Sequence, residues 1–289
     1  LTAPMRLVTL DSREVGGRPA LSLPSGEILD LLAASATLGT SQWRPQSVVS
    51  VLAQGEEGAA HVGRLIAEID AATGPVRQQW RAIGRLLPAT GTQLMAPIRR
   101  PGLLLMVQRT SGQALNAFIK NPNAAVGPDA RIVMPAHRDE PLSGLAMPGL
   151  VLGRPLYAAT PEQAAKAIAA VTLVADLGLS AWSHVDSSGR QFPGACVIGP
   201  SIVTLDEWPD RVVPGPAVTV NSHVIGNRLP DLSVQDAAGV LAKLSASYAF
   251  RPGDIVALSS GGGQFRLGRG DRASLAFDSS LELRFTVAD

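Results

Sequence analysis

The stretch GLVLGRPLYAATPEQAAKAIAAVTLVAD, residues 149–176, decides how the chain is read. Gly149 to Gly153 is a short apolar run bounded by Pro148 and Gly153, the form of a buried strand. Thr160-Pro161-Glu162 then opens a helix. A threonine hydroxyl at that position accepts from a first-turn N–H, proline suits the first helical residue, and a glutamate complements the positive end of the helix dipole. VTLVAD (171–176) returns as a second apolar strand and ends on one carboxylate, Asp176. A carboxylate at the end of a buried strand is unfavourable unless it is paired, so Asp176 calls for a partner or a role.

Outward from this stretch, strands dominate. MRLVTL (5–10) alternates as a strand does, and RPALSL (18–23) and GEILDL (26–31), parted by Pro24-Ser25, read as a hairpin-like meander. Residues 46–70 read as helical, with Val48, Val49, Leu52, Val62, Leu65, Ile66 and Ile69 at helical spacing. Residues 75–87 are short helical or irregular structure. The Pro- and Gly-rich LLPATGTQLMAPIRRPG (86–102) reads as a boundary, giving a small N-terminal α+β domain (1–90) and a larger domain (91–289). In the larger part LLLMVQ (103–108), AFIK (117–120), AVTVNSHVIG (217–226), DIVALSS (254–260) and LELRFTV (281–287) read as strands. SVQDAAGVLAKLSASY (233–248) is a helix capped by Ser233, with Val234, Ala237, Leu241 and Leu244 on one face. Strands and helices do not alternate regularly, so the expected class is α+β, β-rich, rather than a doubly wound parallel sheet.

Composition removes several function classes. With 46% hydrophobic and 4% aromatic residues, an aliphatic core is expected. The formal net charge of +1, without a Lys/Arg cluster, gives no electrostatic drive toward nucleic acid or an anionic membrane. No apolar run is long enough to span a bilayer, and the first residues lack the basic-then-apolar order of a signal peptide. The single cysteine, Cys196, makes no internal disulfide and fits a reducing, cytoplasmic setting. In the apolar context QFPGACVIGP it reads as a buried small hydrophobe rather than a nucleophile.

Beyond this point a resemblance extends the reading. EPLSGLAMPGLVLG (140–153), AAVTLVAD (169–176), VIGPSIVTLDEW (197–208) and RPGDIVALSSGGG (251–263), in that order, resemble the fumarylacetoacetate hydrolase family. MAPIRRPGLLLMV (95–107) resembles its linker into the main domain. FIKNPNAAVGP (118–128) resembles its Phe-x-Lys-Pro segment, with Lys120 at the lysine. GRQFPGACVIGP (189–200) resembles its Gly-Lys-Ser-Phe-Asp stretch, with Arg190 in place of the lysine. The resemblance implies a mixed β-sandwich roll with its pocket at the open end of a rolled sheet, a homodimer, and chemistry on small oxo acids, diketones or related metabolites: hydrolysis, lyase, isomerase or dehydratase reactions. A divalent, magnesium-like ion is the family norm; it binds substrate oxygens through hard oxygen ligands.

The same resemblance shows departures. The family's Glu-x-Glu pair falls on Leu145 and Met147, neither of which ligates a hard cation, and Asp176 alone survives at the third ligand position. The histidine-bearing motif after the first main strand is replaced by VQRTSGQ (107–113), and the Thr-Gly-Thr-Pro turn by Leu258-Ser259-Ser260-Gly261. No metal or other cofactor is therefore expected, a metal site rebuilt from other residues stays open, and two main readings remain. One is a metal-free enzyme in which Asp176, Lys120, Arg190 and His184 act on the substrate while Arg109, Gln113 and Ser260 bind it. The other is a non-catalytic scaffold, regulatory partner or small-acid binder.

Each candidate also has a plain structural reading. Asp176 is a base or a salt bridge left from a lost metal site. Arg190 grips a carboxylate by paired bonds or sits in a surface loop. Lys120 holds substrate, forms a Schiff base, or pairs with Asp176. His184 pairs with Asp186 as a base or faces solvent. Arg109 and Gln113 line a new polar pocket or an exposed loop. Gly261-Gly262-Gly263 cradles an anion or simply turns.

Overall fold

The computed structural model describes residues 4–12, 17–36, 43–109, 115–136, 140–179, 187–259, 261–278 and 281–289. The chain opens with strands β1 (Arg6–Leu10), β2 (Arg18–Ser22) and β3 (Glu27–Asp30), followed by helices α1 (Leu31–Ser35), α2 (Val48–Ala53), α3 (Glu56–Ala71) and α4 (Gly74–Ala82), then β4 (Leu86–Pro88) and β5 (Leu94–Met95). Next come β6 (Leu104–Arg109), β7 (Leu115–Ile119), β8 (Ala125–Val126), β9 (Ala130–Ile132), β10 (Leu142–Leu152), α5 (Pro161–Ala167), β11 (Ile168–Leu179) and β12 (Cys196–Thr204). The last third holds β13 (Val212–Val213), β14 (Ala217–Val220), β15 (His223–Val224), β16 (Leu232–Ser233), α6 (Val234–Ser245), β17 (Ile255–Ser259), β18 (Gln264–Leu267), β19 (Arg272–Asp278) and β20 (Leu281–Val287). The α+β, β-rich class read from the sequence is the class observed.

One sheet runs through the chain in the order β4-β3-β2-β1-β12-β11-β10-β17-β6-β7, with β5, β8 and β18 attached to β1, β12 and β10. The strands of residues 6–88 thus join the rest through the antiparallel pairing of β1 with β12. A second sheet, β15-β14-β19-β20-β9, covers part of one face. The long central strands β10 and β11 pair antiparallel over almost their full length, Leu142 opposite Leu179 through to Leu152 opposite Ile168.

The near-continuous apolar sequence of β10 and β11 follows from burial on both faces. Side chains alternate between two cores. Ala146, Leu150, Leu173, Ala175 and Leu177 point toward the second sheet and α5 and α6. Leu145, Met147, Val174, Cys196 and Ile198 point toward the opposite core, which also holds Leu7, Val51, Leu52 and Leu65 of the N-terminal elements. The helix starts behave as their sequences require. The Thr160 hydroxyl accepts from Gln163 N, the Gln163 side chain accepts from Thr160 N, and the Ser233 hydroxyl accepts from Asp236 N.

The structure extends several sequence-read elements. GLVLG is the second half of an eleven-residue strand that also contains Leu145 and Met147. AVTVNSHVIG is a hairpin, β14 to β15, turning at Asn221 and Ser222, both with positive φ. The helical reading of 46–70 resolves into α2 and α3, parted at Gly55, whose φ of 58° is one that L side chains rarely adopt.

Candidate functional site

Asp176 lies between Ala175 and Leu177, which face the second sheet, so alternation turns its carboxylate to the other face. Its register partners there are Leu145 on β10 and Cys196 on β12. The chain has therefore set a charge into an aliphatic environment, which is tolerated only with full pairing.

The pairing is complete on both oxygens. Lys120, the residue just after β7, sends its Nζ to Asp176 Oδ1 at 2.6 Å and to the Leu177 carbonyl at 2.9 Å. Arg190, at the end of the 3-10 turn Ser187–Arg190, donates from Nη1 to Asp176 Oδ2 at 3.1 Å. The Lys120 and Asp176 side chains are 0% exposed, while that of Arg190 is 29% exposed and marks the rim of the cluster. Three neighbours hold the arginine in place. Its guanidinium lies 5.5 Å from the Phe118 ring centroid, a cation–π placement. Gly178 leaves room for its stem, since a Cβ there would meet Arg190 Cγ at 2.9 Å. Gln191 accepts from Asn121 N at 2.7 Å and donates to the Ile119 carbonyl at 3.2 Å, which ties the segment carrying Arg190 to the segment carrying Lys120.

Of the seven residues singled out from the sequence, the structure brings Asp176, Lys120 and Arg190 together. His184, Gln113 and Ser260 lie outside the described residues. Arg109 is described by its backbone only, as the last residue of β6 opposite Leu115. The three glycines 261–263 all adopt positive φ, and the Gly263 carbonyl accepts from Ala146 N at 3.0 Å, so this loop is laid along β10 beside Leu145. Phe118, Gly178 and Gln191 were not singled out from the sequence. The signal for Gln191 was its adjacency to Arg190, whereas Phe118 and Gly178 carry none without the fold.

Cys196 behaves as its sequence context suggests. Burial pushes its thiol up to about 12, with the Lys120 charge only partly opposing that shift, so the thiolate nucleophile is not available near neutrality.

The positions where the resemblance implies a divalent ion do not fit one. Leu145 and Met147 are 7% and 0% exposed and carry no oxygen donor. The carboxylate opposite them is engaged by two cations, and among the described residues no group of three or more His, Cys, Asp or Glu side chains is placed to hold a metal. A hard cation requires several oxygen ligands, which this arrangement does not supply.

Comparisons with known proteins agree with the architecture. A fumarylacetoacetate hydrolase from Exiguobacterium antarcticum superposes with a TM-score of 0.73 at 19% identity, covering 98% of this chain and 99% of that one. Maleylpyruvate hydrolase from Sphingobium sp. SYK-6 gives a TM-score of 0.68 at 21% identity over 98% of this chain and 99% of that one, and a second structure of that enzyme, similar at 19% identity, contains manganese(II) and pyruvate. A 5-carboxymethyl-2-hydroxymuconate delta-isomerase from Mycobacterium smegmatis gives a TM-score of 0.62 at 25% identity over 71% of this chain and 83% of that one. Among curated protein sequences nothing matches. The family described as "Fumarylacetoacetate (FAA) hydrolase C-terminal" matches residues 106–288, the span that contains the whole Lys120–Asp176–Arg190 cluster, and the chain belongs to that family.

Proposed function

We propose that this protein is a metal-independent member of the family that binds a small carboxylate-bearing metabolite of the oxo-acid class at the rim marked by Arg190. One observation carries the reading. The cluster opposite Leu145 holds two cations, Lys120 and Arg190, against one carboxylate, Asp176, and so has a charge excess of +1 from 2 − 1. The excess sits at the partly exposed arginine, whose planar fork suits a carboxylate. A hard cation would meet repulsion there, and an organic anion would meet attraction. A homodimer, which rests on the resemblance, and a cytoplasmic setting, which rests on the single cysteine, belong to the same proposal.

A metal-free enzyme is the second reading. It is favoured by the near-complete structural overlap with hydrolases. In that version Lys120 and Arg190 hold enolate oxygens and Asp176 moves a proton. The full burial of Lys120 and Asp176 weighs against it, because a general base must come within hydrogen-bond reach of the proton it takes.

The test uses the purified chain with EDTA present and pyruvate and oxaloacetate as probes. Calorimetry is expected to show saturable binding that EDTA leaves unchanged and that Arg190→Ala weakens about tenfold, the loss of a charged hydrogen bond. Acylpyruvate or oxaloacetate turnover that requires manganese overturns the proposal, as does failure of both acids to bind. Turnover in EDTA that disappears in Asp176→Asn replaces it with the enzymatic reading.

A further inference from the structure

A cavity lies at the end of the central strands opposite the Asp176 cluster. It opens at Gly153, just past the end of β10, near Ala169 at the start of β11 and at Thr204, where β12 ends, with α2 and the start of α3 across from them. Leu145 and Gly153 are eight residues apart along this stretch, so the cavity is roughly 26 Å from the Asp176 cluster.

The cavity has two adjoining lobes with different chemistry. The inner lobe, 220 Å³, has an apolar floor that includes Met5, Val51, Leu52 and Ala59. The outer lobe, 540 Å³, shares Arg154, Lys166 and Ala169 with it and adds Arg211 at the edge. Two acids, Glu56 and Asp206, also line both lobes, leaving three cations against two anions. Asp206 already has an interaction of its own. By contrast, among the described residues the Arg154 and Lys166 side chains make no hydrogen bond or ion pair. The Arg154 guanidinium reaches over Gly55, the N-cap of α3, where a Cβ would stand 3.9 Å from its Nη2.

We infer that this cavity is a binding site for a short-chain amphipathic carboxylate, separate from the Asp176 cluster. The alkyl part lies on the Val51, Leu52 and Ala59 floor, where its burial is favourable. The carboxylate lies between Arg154 and Lys166, which supply the charged donors that the structure leaves unused. A pocket with an apolar body and a few placed polar groups is the usual form of a small-molecule site. Because its walls come from both the N-terminal helices and the central sheet, a bound ligand also cross-links the two.

Hexanoate is the probe, with hexan-1-ol as the neutral counterpart, and titration of the full chain is followed by calorimetry. The expected result is saturable hexanoate binding, weakened about a hundredfold in Arg154→Ala/Lys166→Ala, the loss of two charged hydrogen bonds. Hexan-1-ol binds more weakly than hexanoate, and Arg190→Lys leaves hexanoate binding unchanged. That last result separates this site from the one proposed above, which can fail independently. Both substituted cations are exposed, and the Lys166 charge acts only weakly on exposed Glu162 one turn away, so the double variant is expected to keep a Tm close to that of the wild type. The proposal is overturned if hexanoate does not bind, if it binds the double variant as well as the wild type, or if Arg190→Lys abolishes binding.

Discussion

Two carboxylates in this molecule are each held between two cations, and they differ in almost nothing but burial. Glu27 accepts from Arg77 and Arg81 at 2.7 Å each, with Arg81 52% exposed. Asp176 accepts from Lys120 at 2.6 Å and Arg190 at 3.1 Å, with both Lys120 and Asp176 fully enclosed. At the first site the outer pair, Glu27 with Arg81, is open to water and salt and contributes little. At the second, desolvation of each ion costs several kcal/mol, and the mutual attraction offsets this only while every partner is present. The Glu27 cluster joins α4 to β3, next to the edge of the sheet, and its outer arginine is replaceable. The buried one is an all-or-nothing unit at the centre of the fold.

The largest effect follows from removing one member of the buried unit. Lys120→Met leaves Asp176 with Arg190 alone and is expected to destabilise the protein by about 3–5 kcal/mol in denaturant unfolding. Adding Asp176→Leu to Lys120→Met should return much of that loss, since an aliphatic pair suits the surrounding core. If the double variant is less stable than the single, the pairing account of this cluster is wrong.

The smallest effect belongs to the surface unit. Arg81→Ala is expected to cost about 1 kcal/mol or less. Its pH signature is more telling than its size. The Arg81 hydrogen bond, with Arg77 contributing and burial opposing, holds the Glu27 carboxyl below its ordinary value of 4.5. A carboxylate depressed in this way gives stability that is fully present above the unfolded value and is lost as pH falls through the lower folded value. The stability difference between wild type and Arg81→Ala should therefore be constant at neutral pH and shrink only below about pH 4.5. A difference that grows on acidification would contradict this assignment.

The same comparison explains what could be read from the sequence. The lone carboxylate closing VTLVAD demands a partner whatever the fold, and pairing with Lys120 is one of the readings its sequence allows; the contact of Arg190 with Asp176 comes from the fold, since the sequence reads that arginine only as a carboxylate grip or a surface-loop residue. The strand and helix assignments around Asp176 followed from apolar runs, Thr160 and Ser233. The sequence could not show that Gly178 makes space for Arg190, or that Gln191 fastens Asn121 to the loop, because both depend on segments brought together by the β10–β11 pairing. The cavity at Arg154 was also out of reach, since Arg154, Lys166 and the floor of Val51 and Leu52 come from separate elements and form no motif.

In the proposed function, the place of the family's divalent ion is held by the protein's own cations, Lys120 and Arg190. Titration of manganese(II) into the EDTA-treated wild type, followed by the electron paramagnetic resonance signal of the free ion, tests it directly. Leu145→Glu/Met147→Glu serves as the comparison, because it restores the carboxylates that the resemblance places beside Asp176. The expected result is no stoichiometric uptake by the wild type at micromolar manganese, and uptake of one ion by the double variant with a rise in Tm. One tightly bound manganese ion per wild-type chain would contradict the claim.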